Sequence, residues 1–171
     1  LLSWNAALLL APIVSVSIVA FAVAGRPADS SEDRVLRTGV IRVGYSGEPP
    51  FSYRDAEGRI RGASAEVAEA VLARIGVRRV EWVQMEFGAL IPSLLAGRID
   101  LIASGLAITP DRKSVITFTR PTLAIPDAIL VAEGNPLGIA SYDDIRSNNA
   151  VRACAITGSY EEALLDRTGL P

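Results

Sequence analysis

The sequence has no histidine and only one cysteine, Cys154, among its 171 residues. Without histidine it cannot build a serine–histidine–aspartate triad or a histidine-ligated zinc site, and one cysteine cannot form an internal disulfide. Aromatic residues are scarce, at 6% of the chain, and 17 basic against 19 acidic residues leave a net charge of −2. That balance is unlike a surface that binds nucleic-acid phosphates. We therefore expect no nucleic-acid partner, no metal and no other cofactor.

The beginning of the chain differs from the rest because it has no charge. Every Lys, Arg, Asp and Glu follows position 25, and residues 6–24 form an apolar run that ends in AFAVAG. Small residues at the end of such a run are typical of signal-peptidase cleavage, here before Gly25. About 20 apolar residues could also span a bilayer as an uncleaved anchor. We expect residues 1–24 to be a signal peptide or a membrane anchor that places the remainder outside the cytoplasm.

A polar stretch, residues 25–38, is interpreted as a linker, and strands and helices alternate after it. In one helix Ala68, Val71, Leu72 and Ile75 recur with helical spacing. The pattern predicts strands over 41–45, 79–85 and 99–103, helices over 65–75 and 89–96, and two short extended pieces around a turn at 55–58. This alternation predicts an α/β lobe with a parallel sheet, spanning residues 39–131.

A second α/β unit is predicted from residue 132 onward. Before this unit, extended segments are expected over 115–119 and 127–132. Within it, the sequence predicts a helix over SYDDIRS, a strand over VRACAIT and a helix after Gly158. One strand and one helix cannot bury their own faces, so we expect residues 132–171 to be the incomplete start of a second lobe. Cys154 lies in the apolar run VRACAI and is predicted to be buried.

Candidate binding residues follow the carboxyl ends of the predicted strands, where ligands of parallel sheets collect. Glu48 and Phe51 follow the first strand and could offer an anion and an aromatic face to a cation. Alternatively, Glu48 is solvated and Phe51 belongs to the core. Phe87 follows the second strand and could equally be a core residue.

The stretch SGLAITPDR follows the third strand and has the composition of a carboxylate receptor. Ser104 begins it, the backbone amide of Ala107 is expected to be exposed, and Arg112 could form a forked pair with a carboxylate. Alternatively, Arg112 caps the loop or pairs with Asp111. Ser159, at the start of the last helix, could help to bind an anion or could be an ordinary N-cap.

Together these stretches resemble a known family. GEPPFSY, LLAGRIDLIASGLAITPDRKSVITFTRP and ITGSYEE are similar to extracellular solute-binding proteins of the polar-amino-acid type, over residues 34–171. EFGALIP, EGNPLG and SYDDI are most similar to the ectoine- and hydroxyectoine-binding members. The resemblance implies a two-lobed, type II periplasmic-binding-protein fold in a periplasmic protein, with the first lobe nearly complete and the second truncated.

The resemblance also implies roles for individual residues in a clamp that closes on a small zwitterion. Arg112 would bind the ligand carboxylate, and Ser104 and the backbone of Ala107 would line the same pocket. The cationic end of the ligand would contact Glu48, Phe51 and Phe87, and the second lobe would contribute Ser159 and Tyr160. Ala107 stands where the ectoine binders have a third aromatic residue, and Phe87 where they have a tyrosine. These departures favour a small zwitterion with a carboxylate over ectoine itself.

We therefore expect the monomeric, non-enzymatic substrate-binding component of an ABC-type uptake transporter. It would deliver ectoine, hydroxyectoine or a polar amino acid to a membrane permease. One alternative is a cyclohexadienyl-dehydratase-like enzyme on the same fold, with Glu48 as general acid. Another is the sensor domain of a larger receptor.

Overall fold

The computed structural model describes residues 31–126 and 128–169. The signal peptide or anchor predicted over residues 1–24 lies outside these ranges. Within them, no helix combines the length and the apolar character needed to cross a bilayer. In chain order the elements are α1 (Ser31–Thr38), β1 (Val40–Tyr45), β2 (Tyr53–Arg54), β3 (Ile60–Arg61), α2 (Ala63–Arg74), β4 (Arg79–Gln84), a 3₁₀ turn (Phe87–Ala89), α3 (Leu90–Leu95), β5 (Leu101–Ile102), α4 (Pro110–Lys113), α5 (Tyr142–Ser147) and α6 (Tyr160–Thr168).

Three parallel strands form the main sheet, in the order β4–β1–β5. The central strand β1 pairs with β4 along its whole length and with β5 at Val43 and Gly44. The short strands β2 and β3 form a separate antiparallel pair around the predicted turn. The parallel sheet and its alternating helices confirm the α/β prediction, and their residues 31–113 are called the sheet unit below.

The core lies where α2 packs against β1. Ile41 and Val43 of β1 are buried together with Leu72 of α2, and Ala68 packs against them. The helical spacing also predicted Val71 on this face, but 51% of its surface is exposed. The difference arises because α2 meets the sheet along the narrow line of Ala65, Ala68 and Leu72, which leaves the neighbouring positions open.

Residues 31–38, interpreted as part of a polar linker, form the helix α1 instead. Acidic residues in its first turn and Arg37 in its last turn suit the helix dipole. Val35 packs against the core, and Arg34 forms an ion pair with Asp100, whose side chain is only 3% exposed. The helix was missed because Val35 and polar contacts of Arg34 and Thr38 attach it, and such contacts leave no apolar periodicity in the sequence.

The described residues 128–169, called the C-terminal segment below, contain helices but no strand. The predicted helices α5 and α6 are present, and Ser141 and Ser159 cap their amino ends. The expected strand over 151–157 is absent, as are those over 115–119 and the described part of 127–132, because none finds a hydrogen-bonded neighbour among the described residues. Cys154 is therefore exposed, contrary to the prediction that it is buried.

Candidate ligand-binding site

The candidate residues of the sheet unit lie beyond the carboxyl ends of three neighbouring strands. Ser46 directly follows β1, Phe87 follows β4, and Ser104 follows β5. Because the three strands are parallel, their carboxyl ends meet at one edge of the sheet. The loops predicted to bind a ligand are therefore brought together by the sheet itself.

Glu48 and Ser104 are connected through Ser46. The Ser46 hydroxyl donates to the Glu48 carboxylate at 2.9 Å, and its oxygen lies 2.6 Å from the Ser104 hydroxyl oxygen. This bridge holds the carboxylate beside the end of β5. Sequence reasoning did not single out Ser46, although its position immediately after a buried strand was a signal for it.

Phe51 packs directly on Gly105. A Cβ atom built on Gly105 would lie 2.7 Å from the Phe51 ring, so only glycine allows this contact. The buried hydroxyl of the next residue, Ser52, donates to the Ala103 carbonyl at 2.7 Å and ties the loop to the end of β5. Phe51 is half-buried, so the residue is neither fully in the core nor fully exposed.

Arg112 lies between three other parts of the chain. Its guanidinium donates to the Ala107 carbonyl at 2.8 Å and to the Gly158 carbonyl at 2.9 Å, and lies 5.7 Å from the centre of the Phe87 ring. Burial lowers the pKa of Arg112, and Glu161 opposes that shift. The guanidinium is nevertheless fully charged near neutral pH. The described residues show no ion pair between Arg112 and Asp111, which was one alternative role.

The two carbonyl contacts use only part of the donor set of Arg112. A guanidinium carries a planar array of N–H groups, and those not bonded to the carbonyls can still donate to a carboxylate. The Phe87 ring at its face and the carbonyls at its edge restrict how the side chain can turn. Arg112 is thus a charged group held in one orientation.

Ser159 and Tyr160 approach from the C-terminal segment, at the start of α6. The Ser159 hydroxyl accepts from the Glu162 amide at 3.1 Å, while the Glu162 carboxylate accepts from the Gly158 amide at 2.6 Å. The pair is related to a capping box, but the Glu162 carboxylate accepts from the residue before the N-cap, while the Ser159 amide donates to the Ile156 carbonyl. Ser159 is buried and serves as the N-cap, the alternative given above, while Tyr160 is half-buried.

The structure gathers the eight candidates in two groups along one edge. Glu48, Phe51 and Ser104 form the first group. The second group is centred on the Arg112 guanidinium, which contacts Phe87 and Ala107, and Ser159 and Tyr160 follow its third contact, Gly158, along the chain. Phe87, expected to face a ligand cation, is 9% exposed and contacts Arg112 instead. Its contact with ligand stays a prediction.

The chemistry of this edge suits binding of opposite charges. A carboxylate lies in one group and a guanidinium in the other, and the described residues contain no cluster of acidic or cysteine side chains suited to a metal. One separate cavity of about 520 Å³ lies around Arg54, Ile60 and Trp82, and another is lined by apolar residues of the C-terminal segment. Neither of these two cavities is lined by Glu48, Phe51 or Arg112.

Most of the chain is similar to known proteins. The family model of bacterial extracellular solute-binding proteins, family 3, matches residues 41–164. A probable amino-acid ABC transporter periplasmic-binding protein of Sinorhizobium fredii is 33% identical over 141 residues, which are 81% of this chain and 46% of that protein. The chain spans about half the length of the curated relatives it matches.

Two solved structures are similar over most of the chain. EhuB in complex with hydroxyectoine superposes with a TM-score of 0.73 at 34% identity, covering 85% of this chain and 56% of EhuB. The ancestral amino acid-binding protein AncCDT-1, a precursor of cyclohexadienyl dehydratase, gives a TM-score of 0.74 at 31% identity, covering 81% and 60%. These similarities confirm the predicted fold class, that of the type II periplasmic binding proteins.

Proposed function

The chain belongs to the bacterial extracellular solute-binding proteins of family 3, and we propose that it captures a small zwitterionic solute for an ABC-type uptake transporter. The solute is ectoine, hydroxyectoine or a polar amino acid, and its recipient is a membrane permease. The protein acts as a monomer in the periplasm. The named relatives are binding proteins, and we propose that this one too releases its ligand unchanged.

One observation supports this function above the others: the same sheet edge presents a fixed guanidinium and a fixed carboxylate. Arg112 is oriented by two carbonyls and a ring, and Glu48 is oriented by Ser46. Such a pair matches the two ends of a zwitterion. We propose that Arg112 binds the ligand carboxylate, with Ser104 and the Ala107 backbone beside it.

The cationic end of the ligand is then placed against Glu48 and Phe51. Aromatic faces attract cations, and a neighbouring carboxylate adds Coulombic attraction. The small side chain of Ala107 is exposed and leaves room near the guanidinium. The room suits ligands that differ in bulk while sharing a carboxylate.

We propose that the two lobes close over the bound ligand because closure strengthens its contacts with the charged groups. We propose that residues 39–131, which include the sheet, form a first lobe, and that residues 132–171, which include α5 and α6, begin a second lobe. A ligand bound to the first lobe alone keeps part of its polar surface in water. The approach of Ser159 and Tyr160 removes that water and strengthens each electrostatic contact. The ligand shifts the equilibrium only by binding the closed state more tightly.

Titration calorimetry with ectoine, hydroxyectoine, L-arginine and L-glutamine tests the proposal. We expect saturable binding of at least one of these solutes and a loss of about 30-fold or more in Arg112→Ala, since removal of a charged hydrogen-bonding partner has this effect. Arg98→Ala, at an exposed position after α3, is the matched control and should bind as the wild type does. Folded protein that binds none of the four solutes, or equal affinity in Arg112→Ala, would contradict the proposal.

A further inference from the structure

Two glycines from distant parts of the chain meet backbone to backbone. Gly88 lies in the 3₁₀ turn after β4, and Gly158 lies just before α6. A Cβ atom on Gly158 would lie 2.6 Å from the Gly88 Cα, and one on Gly88 would lie 3.3 Å from the Thr157 carbonyl oxygen. A Cβ atom on Gly158 would force the two segments apart, whereas one on Gly88 would need a shift of a few tenths of an ångström, and a larger side chain would need more.

This close approach determines what Arg112 contacts. With the glycines in contact, the Gly158 carbonyl accepts from the Arg112 guanidinium at 2.9 Å. The neighbour of Gly88 in the same turn, Phe87, places its ring 5.7 Å from the guanidinium carbon. The 3₁₀ turn therefore orients Arg112 in two ways. The Phe87 ring contacts the guanidinium directly, and the absence of a side chain on Gly88 lets the Gly158 carbonyl reach it.

We propose that Gly88 is a positioning residue that sets how closely the C-terminal segment can approach Arg112. The inference rests on the proposed function, because the distance that Gly88 sets is the one between Arg112 and the C-terminal segment in the proposed binding site. Gly88 acts through the space it leaves, and its effect reaches the ligand through Gly158 and Arg112. A larger residue at position 88 keeps the turn before α6 away from the guanidinium, which then loses one of its acceptors.

A substitution at Gly88 changes only the spacing, whereas one at Gly158 also strains the backbone. Gly158 has a φ of +81°, so any side chain there strains the backbone as well as filling the gap. Gly88 does not have a positive φ, so alanine or leucine is compatible with its backbone conformation. Substitutions at Gly88 therefore change the spacing while sparing the turn, and position 88 is the informative one.

A size series at position 88 in the full chain tests the proposal. Spin labels at Glu69→Cys and Arg167→Cys, both exposed positions, report the distance between α2 and α6 in a Cys154→Ser background. Without ligand, Gly88→Leu should shift the distance distribution to longer values, and Gly88→Ala should shift it less. Hydroxyectoine and L-arginine serve as probes in calorimetry. Their affinity should fall by about tenfold or more for leucine and a few-fold for alanine.

The matched control is Ala96→Leu, which adds the same side chain at an exposed position after α3. Its distances and affinities should equal those of the wild type. Unchanged distances in a folded Gly88→Leu variant would overturn the proposal. If that variant does not fold, Gly88→Ala decides, and wild-type distances and affinity there would overturn it.

The outcomes also separate this inference from the proposed function. If the wild type binds a probe and Gly88→Leu binds it equally well, the role of Gly88 is refuted while the function stands. If no probe binds the wild type but Gly88→Leu still lengthens the distance, the function is refuted while the spacing role of Gly88 is supported.

Discussion

The guanidinium of Arg112 lies over the ring of Phe87, 5.7 Å from its centre. The two residues follow different strands, β5 and β4, so this contact joins two loops beyond the carboxyl-terminal edge of the sheet. Phe87 is 9% exposed and is itself held in place by packing. The contact gives the proposed carboxylate receptor a rigid support on its apolar side.

Replacement of Phe87 by leucine should weaken ligand binding more than it weakens the fold. Leucine keeps apolar bulk but removes the π face, and a cation–π contact contributes roughly 0.5–2 kcal/mol. We expect affinity for an identified ligand to fall by about two- to thirtyfold, measured by calorimetry. Phe118→Leu, at a half-buried position after α4, should leave affinity unchanged. Equal losses of affinity in both variants would argue against the role of the Phe87 ring as a support for Arg112.

Replacement of Glu48 by glutamine should discriminate between ligands. The amide keeps the size of the side chain but loses the charge that we propose attracts the cationic end. Affinity for L-arginine should fall by about tenfold or more, because a charged partner is lost. The affinity for a ligand without a cationic group should change little in Glu48→Gln. Glu57→Gln, whose side chain is 64% exposed, is the control. Equal effects on both ligand types would contradict the assignment.

Replacement of Asp100 by alanine should destabilise the fold severely. Its carboxylate accepts hydrogen bonds from Arg34 and from the side chain and backbone of Arg42. Removal of one partner from such a buried cluster costs about 3 kcal/mol. Urea unfolding should show this loss, while Asp143→Ala, in an exposed pair with Arg146, should cost less than about 0.5 kcal/mol. Similar losses of unfolding free energy in the two variants would refute the distinction between the buried cluster at Asp100 and the exposed pair at Asp143.

Acid should remove the contribution of Asp100. Burial alone would raise its pKa, but hydrogen bonds from Arg42 and Arg34 outweigh burial and lower the pKa of Asp100 from 3.8 to about 2. Because the folded-state pKa is the lower one, the contribution of about 2 kcal/mol is present above about pH 5 and is lost as the pH falls towards 2. The free energy of unfolding, measured from pH 6 to pH 2.5, should fall more steeply in the wild type than in Asp100→Asn. Parallel curves would contradict this assignment.

The sheet was predictable because its signals are local. β1 is a short apolar run, β4 alternates, and α2 repeats its apolar positions with helical spacing. The predicted strand over 151–157 failed for a non-local reason. A strand exists only with a hydrogen-bonded neighbour, and apolar content cannot report whether that neighbour is present.

The candidate residues were predictable in kind but not in arrangement. Strand ends are readable from sequence, which is why Glu48, Phe51 and Arg112 could be selected. The contact of Arg112 with Phe87 and the bridge from Ser46 to Ser104 depend on how the loops meet after the sheet forms. The approach of Gly88 to Gly158 is of the same kind, because no local pattern links the two glycines.

The ion pair between α1 and the sheet also has a mechanical consequence. Asp100 precedes β5, so it lies at the amino-terminal edge of the sheet, opposite the loops that hold Arg112 and Glu48. A pulling force on the chain ahead of Ser31 would reach that edge through α1, by the Arg34–Asp100 ion pair and by the backbone that leads into β1. The load would enter the molecule at the far end of the sheet, and the loops that carry Arg112 and Glu48 would be spared.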